Sequence, residues 1–336
     1  MLDIALKKSI AGEVDESEKI LRTMDPNDPR VCFNMGWHQM RHGNLKVAMS
    51  LLEKGRKINV FGNGPIKIKI PEWNGQPLNG KHVLLRSEGG LGDQIINVRF
   101  AKNLKAMGAK VITQCSPSLM PVFARAKGVD SVISEEGISY TYMNYWIPAM
   151  SAAGRLGLDF SQLDGSPYLI PNSDYVKRWK PIIAGPELKI GLRWRGNTRF
   201  DHETHRQFNP EKLFNVADIK ETRVFSLQRD DGVELLPKNG GIIDLSSFMK
   251  TWEDTLAIMS CLDLVITSCT SIAHAAGALG IPTWVIIPVM PYYMWCYPWN
   301  EETTPWYDNT RLFRQKKYGS WDEPINEVIK EVHKLI

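Results

Sequence analysis

The chain has 336 residues, 43% hydrophobic and 23% charged, with 41 basic against 37 acidic side chains; that suits two ordinary domains plus a small module and argues against long disorder. Net charge is only +4 and the basic residues are scattered, which gives no nucleic-acid footprint, and five cysteines without a C-x-x-C pair support neither a disulfide framework nor a zinc site. No stretch approaches the ~18 apolar residues of a membrane span and the first residues lack a signal-peptide core, so a cytoplasmic setting is expected, with peripheral membrane contact left open.

In chain order, Asp25–Arg56 carries helical punctuation, with Pro26, Gly36, Gly43-Asn44-Leu45, Ala48 and Leu52 spaced for two antiparallel helices whose small residues allow close approach. The spacing is similar to a tetratricopeptide repeat, and residues 1–62 are expected to form a helical module, serving as a cap or as a protein-binding element. From Gly62 to Gly80 the chain is rich in Gly, Pro and Asn, with an alternating run, IKIKI, at Ile66–Ile70 that reads as an edge strand or hairpin. A βαβ unit follows: strand His82–Arg86, a turn containing Gly89, Gly90 and Gly92, helix Gln94–Met107 and strand Lys110–Gln114. Pro117–Ala126 reads as helix, Val129–Ile133 as strand, and Tyr168–Pro186, with three prolines, as a break.

Alternation then restarts at Lys189–Trp194 and runs through Pro210–Val216, Arg223–Leu227, Gly241–Asp244 and Trp252–Cys261 to Asp263–Pro288. An amphipathic helix, Trp321–Ile336, ends the sequence. The expected fold is α/β, with two Rossmann-like parallel-sheet domains, 63–178 and 179–320, facing a cleft, preceded by the helical module and followed by a helix at 321–336.

Candidate chemistry concentrates at two turns. In DLVITSCTSIAHAAGALGIPTWVIIP the strand Leu264–Thr267 runs into Ser268, Thr270 and Ser271, a helix over Ala273–Leu279 stopped by Gly280, and a second strand at Thr283–Ile287. A helix N-terminus at the end of a buried strand offers backbone N–H groups and a positive dipole end, an anion site suited to phosphate. Thr270 and Ser271 either bind that anion or merely cap the helix, and His274 either reaches it or packs under the sheet. Asp93, after the glycines, is either an N-cap or a base. Arg193 and Arg195 lie on one face at a strand end, as phosphate ligands or as members of surface pairs with Asp201 and Glu203. Gln228, at the end of VFSLQ, is placed to reach a nucleobase edge or ribose, and Trp284, Trp295 and Arg314 are placed to line a pocket mouth.

Six ordered segments carry a family resemblance: GGLGDQIINVRFAKNL at Gly89–Leu104, IGLRWRGN at Ile190–Asn197, HRQF at His205–Phe208, FSLQ at Phe225–Gln228, the segment Asp263–Pro288, and TPWYDNTRLFRQ at Thr304–Gln315. With them the chain resembles GT-B glycosyltransferases, in particular tetratricopeptide-linked proteins related to ADP-heptose:lipopolysaccharide heptosyltransferases. The resemblance implies sugar transfer from a nucleotide-sugar donor to a glycan, lipid-linked glycan or protein acceptor. It puts Asp93 in the base position and Arg206, Thr270, Ser271 and His274 on the donor. Family members commonly carry an aspartate where this chain has Cys269. With no D-x-D motif and no cluster of ligands at metal spacing, metal-independent, inverting transfer with no cofactor is expected. A nucleotide-sugar epimerase and a non-catalytic carbohydrate- or protein-binding module are the alternatives.

Overall fold

The computed structural model describes residues 1–64, 68–134, 140, 142–199, 203–238 and 240–336. The chain divides into two compact units: unit 1 is Met1–Ala5, Asp15–Asp164 and Tyr168–Ile170, and unit 2 is Leu6–Val14, Gly165–Pro167 and Pro171–Ile336. The segment from Asp15 through the first sheet falls in unit 1, whereas Leu6–Val14 and the C-terminal helix belong to unit 2.

The chain opens with helices α1 (Leu2–Ala11), α2 (Val14–Arg22), α3 (Pro29–Arg41) and α4 (Leu45–Leu52). Asp28 caps α3 by accepting from the Arg30 N–H, Pro29 occupies the first turn where a missing donor is harmless, and Gly43 makes the turn to α4 at φ +80°. Gly36 lets the two helices close, since a Cβ there would lie 2.9 Å from the Leu52 side chain.

Behind this pair lies a buried polar cluster in which the Glu18 carboxylate accepts from Arg22 at 2.6 Å, Arg41 at 2.9 Å and His42 at 2.7 Å. Burial pushes Glu18 upward, but the hydrogen bonds from His42 and Arg22 outweigh it and bring its pKa to about 2. His38, 1% exposed, is lowered by burial to about 4. Both shifts act in the same direction. Between pH 6.5 and 4 the unfolded chain takes up the His38 proton that the folded one refuses, and below pH 4.5 it takes up the Glu18 proton. Acidification from pH 7 to pH 4.5 is expected to cost about 2 kcal/mol through His38 alone. Urea midpoints at the two pH values measure this, and His38→Gln should flatten the difference; an unchanged difference would remove His38 from the account.

Unit 1 continues with β1 (His82–Arg86), α5 (Leu91–Asn97), α6 (Ala101–Ala106), β2 (Lys110–Gln114), α7 (Met120–Phe123), β3 (Ser131–Ile133), β4 (Tyr145–Pro148) and α8 (Ala152–Arg155). Among the described residues its strands are parallel, in the order β3-β2-β1-β4. The expected helix Gln94–Met107 is interrupted by a tighter 3₁₀ turn at Val98–Phe100. Of the IKIKI run, Ile66 and Lys67 lie outside the described residues, and Ile68 and Ile70 form no strand: they pack on Leu84, Ile112, Met143 and Trp146. The sheet contact comes two residues later, where Trp146 donates to Pro71 O and Trp73 donates to Trp146 O.

Unit 2 holds α9 (Ser173–Ile183), β5 (Leu188–Arg193), α10 (Glu203–Arg206), β6 (Thr222–Ser226), β7 (Ile242–Asp244), α11 (Trp252–Met259), β8 (Leu264–Ser268), α12 (Ser271–Leu279), β9 (Thr283–Ile287), β10 (Thr310–Arg314) and α13 (Asp322–His333). The expected break at Tyr168–Pro186 instead contains α9. Asn172 caps it, and Pro181 falls in its last turn, where it forfeits only one ladder bond. Six parallel strands run β10-β9-β8-β5-β6-β7, and Pro210–Asp218 is a 3₁₀ helix. Ile190, Leu192, Trp194, Ile266, Ile286 and Val328 are among the buried core between this sheet and α13. Among the described residues no helix is long and apolar enough to cross a membrane.

Candidate functional site

In an open parallel sheet, loops diverge where strand order reverses, and a crevice forms beyond the carboxyl ends of those strands. In unit 2 the chain builds β5, β6 and β7 outward, then returns to place β8 on the other side of β5. The switch point therefore lies between the ends of β5 and β8, and the candidate residues Arg193, Arg195, Thr270 and Ser271 are there by topology.

Thr270 takes the N-cap position of α12 with extended backbone, yet its side chain makes no capping bond. Its hydroxyl lies 3.3 Å from Thr267 Oγ1, so capping does not explain it. Ser271 is the first helical residue and partly exposed, and the Ser268 hydroxyl at the end of β8 is buried without a hydrogen-bond partner among the described residues. His274, one turn in, stacks on Trp295 at 4.9 Å and 11° and sits 3.1 Å from the Tyr307 hydroxyl. Gly277 makes room for that tyrosine, because a Cβ would lie 2.6 Å from its ring.

The Arg206 guanidinium, on α10, donates to Glu203 Oε2 at 2.5 Å and to the Cys269 carbonyl at 2.6 Å. Burial pulls its pKa down, the Glu203 carboxylate works against that, and the net shift is upward. Burial pushes the Cys269 thiol up, which keeps it neutral. Cys269 thus serves this arginine through its backbone oxygen, and the carboxylate comes from Glu203. Glu203 also accepts from Gly196 N at 2.8 Å, tying the loop after β5 to α10.

Arg193 is buried, ion-paired with Asp230 at 2.7 Å, and lowered by that burial. The surface partner considered for it, Asp201, lies outside the described residues. Arg195 reaches Glu234 at 3.5 Å. Gln228 is a correction to the expected ligand contact: fully buried, its oxygen accepts from Trp194 N and Arg195 N, and its amide donates to Arg195 O, Asp230 and Asp231 O. Both ends are spent on joining the loops after β5 and β6. Trp284 is likewise a core residue, packed on Phe313 and under Arg311, and Trp295 is buried against His274. Arg314, at the end of β10, donates to Trp295 O and lies over the Trp299 ring; among the described residues it has no ion pair, and burial lowers it.

Unit 1 has the same construction. Its chain builds β1, β2 and β3, then returns to lay β4 on the other side of β1, so its switch point lies at the ends of β1 and β4. Gly89 takes φ +66°, Gly90 is the N-cap of α5, and Gly92 and Asp93 fall in the first turn. Asp93 is therefore the third helical residue and not the cap: its Oδ2 accepts from Gly90 N at 2.9 Å. A Cβ on Gly89 would lie 2.6 Å from that oxygen, which explains the glycine. Gln94 fixes the turn from the far side through Ser116, accepting from its N–H at 2.9 Å and donating to its hydroxyl at 2.8 Å. Sequence reasoning missed Glu88 and Asp230, and it offered Glu203 to Arg193 and Arg195 as a surface partner, whereas Glu203 pairs with Arg206, a partner its i, i+3 spacing signalled.

Among solved structures, a family 9 glycosyltransferase from Veillonella parvula superposes with a TM-score of 0.58 at 12% identity, covering 78% of this chain and 99% of that one. The fold is that of the family 9 glycosyltransferases. Escherichia coli ADP-heptose lipopolysaccharide heptosyltransferase II gives 0.54 at 11% identity over 76% of this chain and 98% of its own. The iron-containing dodecameric glycosyltransferase TibC of E. coli gives 0.50 at 13% identity over 77% of this chain and 78% of its own. By sequence, Protein FlbA of Caulobacter vibrioides is 24% identical over 303 residues, spanning 78% of this chain but only 48% of that protein. No protein-family profile matches the chain.

Proposed function

We propose that the protein is a glycosyltransferase that moves a sugar from a nucleotide-diphosphate donor to an acceptor hydroxyl, without a metal and with inversion. The observation that carries this is the helix end at Thr270–Ser271, which stands at a switch point, lacks a side-chain cap and adjoins the Arg206 guanidinium. The N–H groups of a helix start, its dipole end and a cation suit a departing diphosphate. The shared fold supports the reading, since its structural neighbours are described as glycosyltransferases and heptosyltransferases.

In the proposed step the Asp93 carboxylate takes the proton of the acceptor hydroxyl, and the freed oxygen bonds to the anomeric carbon. The bond from that carbon to the diphosphate breaks, its electron pair leaving with the phosphate oxygen. A carboxylate is a weak base at neutral pH. Such a base suffices where the hydroxyl loses its proton late, as positive charge develops on the sugar. The helices α3 and α4 fit a tetratricopeptide-like pair, read here as a protein- or acceptor-contacting element, and the setting proposed is the cytoplasm.

A thermal-shift screen of ADP-, GDP- and UDP-sugars tests the reading. A true donor at 100 times its Kd should add about 2.7 kcal/mol of stability, and EDTA should leave transfer unchanged. Absence of binding by every nucleotide would favour a binding module, isomerised donor without acceptor would favour an epimerase, and strict Mg²⁺ or Mn²⁺ dependence would overturn metal independence.

A further inference from the structure

The residue just before the Gly89–Asp93 turn is Glu88, whose side chain is wholly buried. Its two oxygens are gripped by the Arg56 guanidinium, which comes from the 3₁₀ turn Glu53–Ile58 directly after α4; the contact through Nη2 is 2.8 Å, and Nη1 contacts the other oxygen. Glu88 also accepts from Asn63 N at 2.9 Å and from Met150 N, at the end of β4, at 3.3 Å. Arg56 in turn donates to Asn63 O at 2.9 Å and Ser151 Oγ at 2.7 Å, and pairs with Glu53. Gly62, at φ +59°, lets the chain pass over the pair, since a Cβ there would lie 2.8 Å from Glu88 Oε1. Helical segment, linker, β1 and β4 thus meet at one ion pair.

A surface tether between a binding module and its neighbour would be exposed and worth little. A buried pair with every oxygen engaged fixes geometry, because neither partner can leave without stranding a charge. What it fixes is the start of the turn: Glu88 holds the chain entering Gly89, Gly90 presents its N–H to Asp93, and Asn97 closes the first turn by donating to Asp93 O at 2.8 Å.

We infer that Arg56 is a positioning residue for the Asp93 turn, acting through Glu88, so that the helical segment is a working part of the base-bearing site. The inference rests on Asp93 as base for its kinetic consequence but not for its structural one. The test is the double variant Arg56→Met with Glu88→Gln, which removes the charges together while leaving one amide oxygen to accept from either Asn63 N or Met150 N. Amide exchange in the free protein should quicken at residues 89–94 and stay unchanged across β2 and β3. Turnover should fall about 10- to 100-fold, as expected for a small misplacement of a reacting group, with the donor KM unchanged. Arg56→Lys, keeping charge without the fork, should fall between. Unaltered exchange at 89–94 in a folded double variant overturns the inference. Quickened exchange with full turnover keeps the clamp and overturns Asp93 as the group it serves.

Discussion

Asp93→Asn is expected to lower transfer by about 10²- to 10⁴-fold, the usual worth of a positioned general base, while leaving donor affinity unchanged. Asparagine retains an oxygen able to accept from Gly90 N, the bond that the carboxylate makes at 2.9 Å, so turn and helix start survive and only the proton acceptor is lost. Asp93→Ala removes both functions and should add a stability loss of about 1 kcal/mol, the ordinary cost of a capping contact. Comparing the two by melting temperature and single-turnover rate separates cap from base. If Asp93→Asn turns over at the parent rate, the carboxylate is a capping group only and the base lies elsewhere.

The alternation of strands and helices was legible because elements carry their own punctuation: Gly280 stops α12 in the left-handed conformation at φ +81°, and Gly43 turns the chain between α3 and α4 at φ +80°. Both sheets were legible as parallel, and the strand ends bearing Arg193 and Thr270 follow from the same reading. What local pattern does not carry is which neighbour a side chain meets. Gln228 stands at the end of its strand as a ligand contact would, yet the loop holding Asp230 and Asp231 turns back and uses its amide. Trp284 alternates with core residues on β9, and only the packing of Phe313 from β10 shows that it faces the core. Glu88 and Arg56 are 32 residues apart in sequence. Their pairing depends on the chain returning across β1, which no periodicity encodes. The misread Tyr168–Pro186 segment has another cause: prolines were weighed by number, whereas Pro181 is tolerated because of where it falls in α9.

Glu203→Ala should cost unit 2 much stability while replacing no residue proposed to touch the ligand itself. Glu203 is 3% exposed and makes two bonds that nothing else replaces, from Gly196 N and from Arg206 Nε. Alanine strands a buried peptide N–H and takes the Glu203 carboxylate away from Arg206, and breaking a buried pair from one side costs about 3–5 kcal/mol. Because Arg206 keeps some solvent contact and its bond to Cys269 O, the low end is expected, about 3 kcal/mol, read as a fall in urea midpoint. Glu203→Gln keeps the bond from Gly196 but turns an amide toward the guanidinium, and should lose less. The second readout is the anion site itself. Arg206 freed from Glu203 can swing away from the start of α12, so the stabilisation given by a bound nucleoside diphosphate should shrink together with intrinsic stability. A loss below about 1 kcal/mol would mean that the pair behaves like a solvated surface contact. A full stability loss with undiminished nucleotide binding would make Arg206 a structural cation, leaving α12 and its hydroxyls to hold the diphosphate alone.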